Sequence, residues 1–85
     1  MSESFFMQIS RDVTEEAMVL RVIGAREAWL ENYQTLMEYT DERIRVSGKY
    51  SEIQIEGYGM RIEYYGNIDM KIQGVIRKIQ FEDYS

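Results

Sequence analysis

Apolar and polar residues alternate one for one through the second half of the chain. Between residues 43 and 74 a short phrase recurs as RIRVSG (43–48), EIQIEG (52–57), RIEYYG (61–66) and DMKIQG (69–74), with starts nine, nine and eight residues apart. A partial copy, VLRVIG, ends earlier at Gly24. Alternation with period two is the mark of a half-buried strand, and the glycines punctuate it.

The same alternation extends outward from these repeats. Residues 18–23 read as a strand with Leu20 and Val22 on one face, turned by Gly24 and Ala25 into a second strand at 27–33 that holds Trp29, the only tryptophan. After the polar break at Glu31-Asn32, residues 35–39 form a third strand, closed by a type I turn at Thr40-Asp41-Glu42. Pairing Tyr39 with Ile44 and Met37 with Val46 keeps apolar residues on one face. Tyr58-Gly59 then reads as a two-residue hairpin loop that pairs Ile55 with Ile62, Ile53 with Tyr64 and Glu56 with Arg61, although a loop starting at Gly57 remains open. In the next hairpin, Tyr64 opposite Met70 and Ile62 opposite Ile72 place Glu63 against Lys71, which is better than the alternative with two like-charge pairs. The parity of the apolar positions switches after Gly74, so the last strand is long, bent at Gly74 and bulged near Arg77-Lys78.

Residues 1–10 carry Phe5, Phe6, Met7 and Ile9 and predict an edge strand or an arm, covering their own core or swapped onto a neighbour. Residues 12–17 (DVTEEA) are the best helical candidate, with Thr14 or Asp12 as N-cap. The expected architecture is a single all-β domain over residues 1–85, with 1–17 as a candidate N-terminal arm. It is an antiparallel meander of seven or eight short strands, its greasy face buried by curling into a small sandwich or half-barrel. A short β-solenoid is the runner-up, because near-regular repeats also stack.

Composition narrows function mainly by exclusion. A chain this small buries roughly 60–65% of its unfolded surface, an adequate core rather than a generous one. It has no cysteine, histidine or proline. There is thus no disulfide or thiolate metal site, and the commonest metal ligand and general base are missing. Net charge is −5, with fifteen acids scattered among ten bases. Nucleic acid and anionic lipid both call for a basic stripe, so neither is an expected partner. No apolar run approaches the length of a membrane span, and the expected location is the compartment of synthesis.

Most chemical motifs dissolve on inspection. Gly57-Tyr58-Gly59-Met60 lacks the spacing and the lysine of a phosphate loop. Glu52, Glu56, Glu63 and Asp69 share the polar face with Arg43, Arg45, Arg61 and Lys71, which reads as a salt-bridged solvent surface rather than an acid/base pair. No calcium-loop pattern is present. We expect no catalytic residue, metal or cofactor. The tyrosines are more suggestive: Tyr50, Tyr58 and Tyr65 fall at or beside successive hairpin tips, and Tyr33 adjoins the Asn32 turn. They form a candidate partner-binding rim, or else fold back to cap the apolar face. Open edge strands also favour self-association, as a dimer or a longer assembly.

Several phrases, in order, resemble the YabP/YqfC family of sporulation proteins. They are Leu20-Arg21-Val22-Ile23-Gly24, Trp29-Leu30-Glu31-Asn32-Tyr33, Leu36-Met37-Glu38-Tyr39-Thr40-Asp41-Glu42-Arg43-Ile44-Arg45-Val46, Ile53-Gln54-Ile55-Glu56-Gly57, Met60-Arg61-Ile62, Met70-Lys71-Ile72-Gln73-Gly74-Val75-Ile76 and Ile79-Gln80-Phe81. The likeness covers about residues 18–82, and Glu31-Asn32 with Tyr39-Thr40-Asp41-Glu42 is closer to the YqfC branch. Residues 1–17 lie outside it. The resemblance implies a non-enzymatic protein of the mother-cell cytoplasm, needed for spore envelope (cortex and coat) maturation and working beside a membrane-bound sporulation protein. It carries over no catalytic residue. The rival expectation is a small ligand-binding or regulatory β domain holding an apolar molecule in a cavity lined by Ile, Met and Tyr.

Overall fold

The computed structural model describes residues 16–84. Six strands form one antiparallel sheet: β1 (Val19–Ile23), β2 (Glu27–Glu31), β3 (Thr35–Tyr39), β4 (Arg43–Ser47), β5 (Ser51–Tyr65) and β6 (Asp69–Asp83), in the order β1-β2-β6-β5-β4-β3. The expected edge strand or arm at 1–10, and most of the helical turn expected at 12–17, lie outside the described residues.

β5 and β6 are each fifteen residues long and make one continuous hairpin. The β1–β2 hairpin pairs with residues 69–73 of β6, and the β3–β4 hairpin with residues 52–56 of β5. A straight strand of that length would hold its ends about 45 Å apart. Yet the N–H of Asn32 donates to Ile68 O at 2.6 Å and that of Gln34 to Ser47 O at 2.8 Å, so two residues of linker separation bring the two ends of the hairpin together. The long hairpin therefore folds back on itself. Each half carries two further strands, and their apolar faces meet in one core of Ala28, Leu30, Tyr33, Ile44, Val46, Ile53, Ile55, Met60, Met70, Ile72 and Ile76. The sheet is all-β and antiparallel, as expected, and does not close, but its order is not the expected meander: β2 and β3 are consecutive in the chain, yet β2 lies beside β6 and β3 at the far edge beside β4.

The fold-back is built from glycine and bulges. The register slips between Glu56 and Gly57 and again between Tyr58 and Arg61, opposite Arg77 and Gly74. Gly59 and Gly74 take positive φ, 57° and 151°. The turns of both short hairpins clamp this waist: Gly74 N–H donates to Arg26 O and Ile76 N–H to Ala25 O, while Gly57 N–H donates to Glu42 O and Met60 N–H to Asp41 O.

Three further expectations need correction. Tyr58-Gly59 is not a hairpin loop but a bulge inside β5, so two predicted strands are one, and the described strands number six rather than seven or eight. Ile55 pairs with Ile79 and Ile53 with Phe81, not with Ile62 and Tyr64, and Glu56 faces Lys78 rather than Arg61. Antiparallel pairing throughout excludes the solenoid. Two smaller errors share one cause. Bulges at Met37 and near Glu63 put Leu36, not Met37, opposite Val46, and set Tyr64 against Lys71 rather than Met70. Other expectations held: the Gly24-Ala25 turn, Tyr39 with Ile44, Ile62 with Ile72, and one long last strand with Arg77 as its extra residue.

Candidate partner-binding surface

The fold-back sorts the loops to two ends. At one end lie the waist of the long hairpin and both short turns. At the other lie the β2–β3 link, the β4–β5 loop, the β5–β6 tip and residues 16–18. Of the four candidate tyrosines, three gather at this second end and one does not.

Tyr33 is pulled inward. It is 5% exposed, its hydroxyl donates to Gly66 O, and its ring stacks on Tyr65 at 5.8 Å between centroids. Burial first, and then the neighbouring Tyr65 hydroxyl, push its pKa from 10.0 up to about 12. It therefore presents Tyr65 rather than a surface of its own. Asn32 makes the corner that places it there, with φ 67° and its side-chain N–H donating to Ala17 O at 3.0 Å.

Tyr65 is 58% exposed, and Tyr50 is exposed on the adjacent β4–β5 loop. The Tyr50 hydroxyl donates to Glu16 Oε1 at 3.0 Å, and Lys49 pairs with the same carboxylate. Those hydrogen bonds, from Lys49 first and then Tyr50, hold the Glu16 carboxyl below its ordinary value. A shallow groove of about 370 Å³ runs between the two loops, past Tyr33, Lys49 and Ile68.

Tyr58 stands apart at the waist. It is exposed in mid-strand, with the Arg77 guanidinium 5.6 Å from its ring, between two open grooves. The sequence placed it on the rim only because Gly57 and Gly59 resemble a hairpin loop.

Sequence reasoning missed Ile68 and Tyr84. Ile68 sits in the β5–β6 tip and is 61% exposed. Tyr84 is exposed beside Tyr50, to whose carbonyl its N–H donates at 2.9 Å. A signal existed for Ile68, since Gly66-Asn67 just before it is a strong turn dipeptide. Tyr50, Tyr65, Ile68 and Tyr84 thus share one end of the molecule and are all exposed there.

Those polar faces are ion-paired. Glu38 meets Arg45 at 3.4 Å and Arg43 at 3.9 Å, Arg45 meets Glu52 at 2.6 Å, and Glu63 meets Arg61 and Lys71. Trp29 lies among them, with Lys71 5.5 Å and Arg21 6.0 Å from its ring and its indole N–H donating to Glu27. Among the described residues no cluster of acids is arranged to hold a metal ion, and no helix is long and apolar enough to cross a membrane. No family model, curated protein or solved structure matches the chain.

Proposed function

We propose that this chain is a non-enzymatic sporulation protein of the mother cell, acting by protein–protein contact in maturation of the spore cortex and coat. One observation carries the reading: the ordered run of phrases across about residues 18–82 that resembles the YabP/YqfC family. Several residues in those phrases have defined structural roles. Gly24 and Asn32 hold positive φ at the ends of β1 and β2, and Gly57 and Gly74 make the close approach at the waist. The end bearing Tyr50, Tyr65, Ile68 and Tyr84 is the surface we assign to a protein partner, a membrane-bound one on the family's pattern. The rival ligand-binding reading is less well supported, because Ile44, Ile55, Met70 and Ile72, which would line its cavity, are fully buried in a single core cluster.

The test is genetic, in an endospore-forming host that carries this sequence. Deleting the gene is expected to cut heat-resistant spores sharply, and a Tyr65→Ser/Ile68→Ser double variant to reproduce the defect while the protein still accumulates. Normal spore yield in the deletion strain would overturn the sporulation role. Full complementation by the double variant would overturn the surface.

A further inference from the structure

β2 leaves β6 at Gln73, and the last hydrogen bond on that side is from Ile76 N–H to Ala25 O. Beyond it, among the described residues, residues 77–83 of β6 pair only with β5 and form an open edge. Phe81 is 61% exposed, although its cross-strand partner Ile53 is fully buried. The apolar face of the sheet therefore runs out to this edge and stops. An exposed edge with an apolar residue is a template for another strand.

The geometry of the edge selects a register. Tyr84 N–H donates to Tyr50 O, its direct partner in the ladder, so residues 82, 80 and 78 also turn their backbone groups inward to β5. Ile79, Phe81 and Asp83 consequently direct theirs outward. An added antiparallel strand must set outward residues against outward residues.

The stretch itself is Arg77-Lys78-Ile79-Gln80-Phe81-Glu82-Asp83. Placed antiparallel to a second copy about Gln80, it sets Ile79 against Phe81, Lys78 against Glu82 and Arg77 against Asp83, twice over. Ile79 and Phe81 then meet with their backbones hydrogen-bonded, as the outward geometry demands. Sliding by two in one direction sets Ile79 against Asp83 and Gln80 against Glu82. Sliding in the other sets Arg77 against Phe81. Only the Gln80-centred register joins unlike charges at both ends.

Lys78 faces Glu56 across the ladder, but the charges of this stretch close no ion pair of their own. Among the described residues Lys78, Glu82 and Asp83 enter no salt bridge, and Glu82 faces another acid, Glu52, across the ladder. The other edges are poorer templates. β3 is broken by its bulge at Met37, and β1 paired with itself about its centre would oppose Arg21 to Arg21.

We infer that residues 77–83 of β6 are a self-pairing edge that joins two copies of this chain across a two-fold axis at Gln80, extending the sheet through both. This deepens the reading of the chain as an interaction protein by naming one partner, itself, and it does not depend on the role in sporulation.

Sedimentation velocity of the full chain from about micromolar to about millimolar concentration tests it, over the range expected of a small interface. The expected mass at high concentration is twice the 10.2 kDa of one chain. Lys78→Glu and Glu82→Lys should each weaken the dimer at least about tenfold, because each sets like charges together twice. An equimolar mixture of the two variants should restore it, because every mixed pair then opposes an acid to a base. Glu82→Lys removes the like-charge pair with Glu52, so it keeps the fold, which circular dichroism checks. A monomer throughout, or a dimer that neither variant weakens and whose mixture behaves like either alone, overturns the inference. A monomer that dimerises only after removal of residues 1–15 overturns it too, and gives the edge to that segment. Spore yield is read separately, so a failure here leaves the sporulation reading standing, and the reverse.

Discussion

Gly57 lies so close to Val75 that a methyl group on its Cα would stand 1.9 Å from the Val75 carbonyl oxygen. No side-chain rotation relieves such a contact, because the obstacle is backbone. Gly74, on the facing strand, is similarly placed, with a methyl 2.6 Å from Met60 Cα and φ at 151°. This pair lets the two paired strands approach closely at the waist, where the hairpin folds back and the two apolar faces meet.

Gly57→Ala is therefore expected to cost about 3 kcal/mol or more, the range of overpacked backbone sites. Gly59→Ala makes the useful contrast. Its φ is also positive, at 57°, but a methyl there meets nothing within 4 Å. Only the left-handed conformation is penalised, at about 1–2 kcal/mol. Urea unfolding should rank Gly57→Ala well below Gly59→Ala, and equal midpoints would mean that the waist relaxes.

Ala25 offers a change in the opposite direction. With Gly24 it occupies the centre of a turn in which both residues take positive φ, 60° and 55°, and Arg26 N–H closes the turn on Ile23 O at 3.1 Å. That is the hairpin turn that glycine and asparagine favour. Ala25→Gly should raise stability by about 0.5–1 kcal/mol, the conformational gain less the added freedom of the unfolded chain. A lower melting temperature for the variant would show that the Cβ of Ala25 contributes a contact that outweighs its strained backbone.

The strand faces were legible in the sequence, but the connections were less so. Ile53 and Ile55 are odd-numbered and Met60 and Ile62 even, and a change of parity has two physical causes. Either the chain turns back, or one strand bulges. Tyr58-Gly59 fits both, because glycine serves a turn and a bulge equally well. The choice was made by tertiary contacts, the hydrogen bonds that Gly57 N–H and Met60 N–H donate to Glu42 O and Asp41 O, which no local pattern encodes. After Gly74 the parity change was read as a bulge near Arg77-Lys78 within one long strand, and Arg77 is the extra residue there. The tyrosine rim inherited the same error: Tyr58 was counted with a tip that does not exist. Tyr84 was invisible because nothing local reveals that the end of β6 returns beside Tyr50.

Tyr33 should announce its position in alkali. Its pKa is raised, so the folded state holds the phenolic proton more tightly than the unfolded chain does. The stability this confers is fully present below about pH 10 and is lost as pH rises toward about 12. Absorbance at 295 nm is expected to show an ionisation near 12 in the native protein that Tyr33→Phe lacks. At neutral pH that variant should lose about 1 kcal/mol, for the hydrogen bond to Gly66 O. An unchanged titration curve would place the hydroxyl in water.

At the opposite extreme of pH the sign reverses, and the group is Glu16. Lys49 and Tyr50 hold its carboxyl below the ordinary value of 4.5, so the folded state releases the proton more readily than the unfolded one. Its contribution is present above that value and fades as pH falls through the depressed pKa. Glu16→Gln should thus destabilise the protein at pH 7, and by less at an acid pH, as the native carboxyl takes up its proton. The effect at pH 7 should shrink in high salt, because both partners stand in solvent. Melting curves of the two proteins at both pH values decide it. A gap that persists undiminished in acid would mean that Glu16 acts through packing on the β4–β5 loop, and that its charge does not fasten the chain ahead of β1 to the end carrying Tyr50.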